Sequence, residues 1–145
     1  METASLDRVA ASLLTPPIVR WVALLGLCAA YLQGGINKAL DFSGAVAELA
    51  HFGMPPLPAL AAAVIVLELG ASLLILAGRL RWLGALALAG FTLFATFVAN
   101  RYWTMAGPER AMTANAFYEH LGLVGGFLLV AWHDLKSRDL SPSAS

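Results

Sequence analysis

Glu68 lies near the middle of AAAVIVLELGASLLILAG, residues 61–78, a run otherwise apolar enough to cross a membrane. Placing an ionised carboxylate in hydrocarbon costs from about 3 kcal/mol upward, so such a group faces other protein groups or a wet cavity. The residues able to answer it have the types and spacing of a binding site. Gln33 and Asn37 are four apart and share a helix face, with Lys38 beside them. Asn100 and Arg101 end a third apolar run, and Asn115, Glu119 and His120 open a fourth. An ammonium beside a carboxylate can hold a carbonyl or hydroxyl head group while apolar walls hold a tail. No set of residues reads as catalytic. The single cysteine, Cys28, excludes an intrachain disulfide and a paired-cysteine redox centre, and its apolar surroundings mark it as a packing residue. Glu119 and His120 are adjacent and point in different directions around a helix, which argues against a metal site.

Each residue also has a plainer reading. Lys38, Arg101, Asn115 and Glu119 fall within about a turn of the interface, where long side chains snorkel and acids favour helix N-termini. Gln33 and Asn37 suit interhelical hydrogen bonds worth about 0.6 kcal/mol apiece. His120 suits hydrogen-bonded packing, since a lone histidine is more often that than a ligand. Glu68 is the hardest to explain this way, the alternatives being a structural buried pair or a protonated carboxyl.

The elements that must position these groups follow from hydrophobic run lengths. The chain is 59% hydrophobic and 12% charged, with a mean hydropathy of +0.74, a composition that needs a lipid coat. Nine basic and nine acidic residues leave no basic surface for nucleic acid. A spanning helix needs about 20 apolar residues. Four windows qualify, about 18–37, 57–77, 82–102 and 116–132, which predicts an all-α integral membrane four-helix bundle as one domain over 18–134. Residues 1–17 are expected as a cytoplasmic tail and 135–145 as a flexible cytoplasmic tail, the latter ending in a Ser/Pro-rich run.

Arg8, Arg20, Arg79, Arg81, Lys136 and Arg138 flank one side of these spans, against Lys38, Arg101 and Arg110 on the other. That bias predicts cytoplasmic N- and C-termini. Trp21, Trp82 and Trp132 then fall at inner helix ends, Tyr102 and Trp103 at an outer one. Between the first two spans, Phe42, Val46, Leu49 and Phe52 recur at helical spacing, with Asp41 to cap and Gly53 to stop a short amphipathic surface helix. The turn around GRLR makes the second and third spans antiparallel neighbours, and TMAGPERAMTAN reads as a polar loop. Gly26, Ala30 and Gly34 on the first span, and Gly122 and Gly126 on the fourth, form small-residue faces for helix packing within the bundle or for self-association.

Depth follows at 1.5 Å per residue: Glu68 lies about 16 Å below Leu57, and of Gln33 and Asn37 on the first span Gln33 is the nearer to it in depth. The polar groups crowd the outer half, while VALLGL, LLIL, LALAG and GFLLVA make the inner half almost pure hydrocarbon. That asymmetry describes a cup open outward and closed below, unlike a channel, which needs polar lining throughout.

GGINKALDF, GMPPLPALAAAVIVLELGASLLILAG, RYW and NAFYEHLGLVGGFLLVAWHD together resemble the DoxX family of small four-helix bacterial inner-membrane proteins, over roughly Ile18 to Asp134. The resemblance implies a redox-associated membrane protein without a settled activity, and a polar core of Lys38, Glu68, Asn115 and His120. The expected function is a non-catalytic or quinone- or small-lipophile-binding subunit of a redox or oxidative-stress membrane complex, not an enzyme by itself. A membrane-protein assembly factor and a small transporter are the alternatives, the latter disfavoured by the missing inverted repeat. Expected partners are the lipid bilayer and either redox-complex subunits or a second copy, and a quinone is the one cofactor suggested.

Overall fold

The structure is a computed structural model and describes residues 2–139. Its elements are α1 (Glu2–Leu14), α2 (Pro17–Leu40), α3 (Phe42–His51), α4 (Pro58–Ala77), α5 (Arg81–Ala99), a 3-10 turn (Tyr102–Thr104) and α6 (Gly107–Asp139). No strand occurs among the described residues. Four helices, α2, α4, α5 and α6, are long and apolar enough to cross a membrane, so the chain is an all-α membrane protein.

Local chemistry sets most boundaries. Pro17 and Pro58 stand in the first turns of α2 and α4, where the missing amide proton has no partner to lose. Gly78 ends α4 in the left-handed region at φ 75°, Leu80 follows at φ 51°, and the chain reverses into α5. The tight reversal makes α4 and α5 neighbours, and they press together at Gly84. A Cβ there would stand 2.6 Å from the Ala71 carbonyl oxygen and 3.1 Å from Leu74 Cβ. The helices follow one another around the bundle in the order α2, α4, α5, α6, with α6 lying along α5. The ring of Tyr31 on α2 meets Phe127 on α6 edge to face at 5.4 Å. Cys28, Ile75, Leu88 and Phe127 are fully buried between the four helices, which confirms Cys28 as a packing residue.

Asp41 caps α3 as its sequence position suggests: its carboxylate accepts the Gly44 amide at 2.9 Å and the Ser43 hydroxyl at 3.0 Å. These bonds, the amide first, hold its carboxyl below the usual range. Gly53, at φ 73°, follows the end of that helix. α3 does more than rest on the membrane surface, because its Ala45 and Leu49 are buried against Ala61 of α4. Leu49 and the half-buried Val46 and Phe52 turn inward, while Phe42 stays exposed.

Three segments differ from their sequence-based expectation. The N-terminal tail contains α1, whose Leu6, Val9 and Leu13 form an exposed apolar stripe of the kind that lies in a membrane interface. The loop TMAGPERAMTAN is helical from Gly107, with Pro108 and Glu109 in the first turn, both favourable helix-start residues. Thus α6 has 33 residues and runs about 50 Å, well beyond a hydrocarbon core of about 30 Å. At its other end α6 continues through Asp139, so 135–139 are helical, and the rest of the expected flexible tail, 140–145, lies outside the described residues.

The end of the bundle remote from α3 is not purely apolar. Asp134 is buried there, accepts the Trp82 amide at 3.2 Å and the Arg138 Nε proton at 3.0 Å, and lies 3.9 Å from Arg81 Nη1. Arg81 donates through Nε to the Ile75 carbonyl at 2.9 Å. One carboxylate thereby ties the start of α5 to α6 and satisfies one open amide of a helix N-terminus.

Candidate functional site

The α3 end of the bundle encloses a cavity of about 680 Å³, lined by all five of α2 through α6. Its apolar wall includes Leu60, Val64 and Leu67 of α4 and Phe91, Ala95 and Val98 of α5. α3 contributes Ala45 and Leu49 on another side, with Phe52 just past its end. The α4 and α5 positions that line it lie toward the α3 end, whereas Gly84 and Ala71 press the same two helices together at the other end. Beneath it, Tyr31 and Thr92 join their hydroxyls, and Thr92 also donates to the Leu88 carbonyl at 2.6 Å. The buried Cys28, Ser72 and Phe127 fill the interior beyond that bond.

The polar wall is built around Glu68. Lys38 Nζ stands 3.3 Å from Glu68 Oε1 and 3.4 Å from Oε2, and 3.9 Å from Glu48 Oε2. The Glu68 side chain is 7% exposed and that of Lys38 22%. Side chains on a helix lean toward its N-terminus, so Lys38 runs back over the preceding turn. Gly34 occupies that turn. A Cβ on Gly34 would sit 3.4 Å from Lys38 Nζ and 3.7 Å from Glu68 Oε2, so the bare glycine keeps the path of the ammonium open.

The sequence-predicted residues divide clearly. Lys38, Glu68, Glu119 and His120 line the cavity, as do Ala30 and Gly34. Asn100 stands behind His120, with its amide 3.2 Å from Thr96 Oγ1 and 3.5 Å from His120 Nδ1. Gln33, Asn37, Arg101 and Asn115 are exposed and do not line it. Lys38, placed with Glu68 at the head group by the sequence reading, is the residue that contacts it, whereas Gln33, nearer in depth, is exposed. Glu48 also lines the cavity. It lies on the polar side of an amphipathic helix, where one acid among surface residues carries no signal until the helix is docked.

The small-residue faces also need revision. A Cβ at Gly126 would stand 3.2 Å from Leu27 Cδ1, but nothing lies within 4 Å of such an atom at Gly26 or Gly122. The close contact between α2 and α4 is at Gly35, where a Cβ would meet Leu69 at 2.8 Å.

Fold and cavity define an integral membrane helical bundle with a polar group set into an otherwise apolar chamber. The DoxX family model matches residues 18–101, more than half of the chain, and the protein belongs to the DoxX family. It is similar to the inner membrane protein YphA of Escherichia coli (strain K12), with 28% identity over 116 residues, which cover 79% of this chain and 82% of that relative. No solved structure matches the chain.

Proposed function

We propose that this DoxX-family protein is a multi-pass protein of a bacterial inner membrane that holds a small lipophile in the cavity lined by α2 through α6. Lys38 and Glu68 meet the head group, and the α4 and α5 wall packs along the body. The observation that carries this reading is an ion pair set into a chamber of about 680 Å³ with largely apolar walls. That size lies within the few hundred to 1,000 Å³ typical of small-molecule sites, and a few convergent polar groups among apolar ones are their usual pattern. Within a redox or oxidative-stress complex, the chain acts as a carrier-binding subunit and not as an enzyme by itself, and a quinone-type molecule is one carrier of the required lipophilic class. In this reading both termini are cytoplasmic and the cavity lies toward the opposite side, which the excess of basic residues at the Asp134 end supports.

Association with other helices is the second reading. It is favoured by the open space beside Gly26 and Gly122, where a partner helix could approach closely.

The test is mass spectrometry of small molecules retained by the purified protein. Wild type should carry a lipophile enriched over an unrelated membrane protein isolated from the same membranes. Gly34→Leu, which puts a side chain into the Lys38–Glu68 site, should lose it, as should the near-isosteric Glu68→Gln. Equal retention by both folded variants, or no enrichment in wild type, refutes the reading.

A further inference from the structure

The hydrogen-bonding inventory of the cavity restricts what its ligand can be. On the donor side, three of the four groups are already engaged. Thr92 donates to the Leu88 carbonyl, which leaves its oxygen to accept the Tyr31 proton. His120 Nδ1 stands 2.6 Å from the Ala116 carbonyl, an acceptor only, so Nδ1 carries the proton. In the neutral ring Nε2 is then an acceptor. The fourth donor, the Lys38 ammonium, has three protons and faces both oxygens of Glu68 and one of Glu48.

The acceptor side is in surplus. Glu48, Glu68 and Glu119 line the cavity, each with about four lone-pair sites when ionised, against the single ammonium of Lys38. The lining sets three carboxyl groups against one lysine, and no arginine belongs to it. A head group that only accepts, such as a carboxylate or the carbonyls of an oxidised quinone, must compete with the carboxylates for Lys38. A head group that donates finds free oxygens, and one that is also positive offsets the excess negative charge.

We propose that the cavity selects a lipophilic cation, an ammonium on an apolar body, whose N–H groups are shared between Glu68 and Glu48 beside Lys38. The assignment rests on the lipophile-binding reading above and adds the sign and hydrogen-bonding sense of the head group. A neutral hydroxylated head, as in a quinol, supplies donors without the charge and ranks second.

Three probes of equal chain length separate the terms: decylammonium, decanol and decanoate, titrated at neutral pH into the full-length protein in nanodiscs of zwitterionic lipid. Binding is read from the protection each gives against thermal unfolding. Decylammonium should bind at least about tenfold more tightly than decanol, since charge-assisted hydrogen bonds are about twice as strong as neutral ones, and decanoate should bind most weakly. In the double variant Glu48→Gln/Glu68→Gln the advantage of decylammonium over decanol should disappear. Decanoate binding as tightly as decylammonium, or an ammonium preference that survives in the folded double variant, overturns the proposal. Equal binding of all three in wild type overturns the charge selection but leaves the lipophile site standing. Binding of none overturns the site itself, and with it this inference.

Discussion

Lys38→Met gives the sharpest test of the pair at the centre of the cavity. At 3.3 Å and an effective dielectric of about 20, the attraction between the two charges is about 5 kcal/mol. Part of this is lost because Lys38 keeps 22% of its side-chain exposure and also faces Glu48 at 3.9 Å. Removing the cation leaves Glu68, 7% exposed, without its ammonium, and breaking a buried pair costs about 3–5 kcal/mol when fully desolvated. For this half-wet pair the expected loss is about 2–3 kcal/mol. Lys38→Met/Glu68→Leu removes both charges and should recover most of it, because a paired replacement by apolar groups leaves no orphan. Cys28 supplies the assay. It is the only cysteine and is fully buried, so a thiol-reactive fluorophore reports unfolding in detergent without further engineering. If Lys38→Met labels at the same temperature as wild type, or if the double variant is less stable than both singles, the two side chains are not energetically coupled and the reasoning fails.

Gly84→Ala should cost about 1–3 kcal/mol in the same labelling assay, because its Cβ would meet the Ala71 carbonyl at 2.6 Å, whereas Gly122→Ala should be neutral or mildly stabilising. Equal effects at the two positions would contradict the helix rotations described above. Asp134→Asn should lower stability by about 1–3 kcal/mol, since it weakens the contact to Arg81 and Arg138 and the bond from the Trp82 amide; an unchanged labelling temperature would mean that the Asp134 contact does not tie α5 to α6. Reporter fusions after Gly78 and at the C-terminus should report cytoplasm, and one at Gly107 the opposite side. A C-terminus outside the cytoplasm would invert the proposed direction of the cavity.

The four spans were readable from sequence because the constraint that creates them is local. A backbone in hydrocarbon must satisfy its own hydrogen bonds, so about 20 consecutive apolar residues declare a helix whatever lies beside it. The α3 cap at Asp41 and the reversal at Gly78 are local for the same reason, since each depends on residues within a turn of it. The long start of α6 was present in Pro108 and Glu109, but its polar composition resembled a loop once the apolar window had been drawn.

That Glu68 needs a partner follows from its residue type and position. Opposite charge already names Lys38 as its counterpart; the tertiary structure decides the contact itself, which forms because Gly34 leaves the path of the ammonium clear. Likewise Gly26, Gly34, Gly35, Gly122 and Gly126 look alike in sequence, but the rotation of each helix about its own axis separates those that pack from those that face open space. Glu48 joins the cavity only because Ala45 and Leu49 fasten α3 to Ala61, and Asp134 became buried only where α5 and α6 meet. Helix existence is decided by neighbours along the chain. Which faces meet, and therefore which polar groups share one chamber, is decided by packing between segments far apart in sequence.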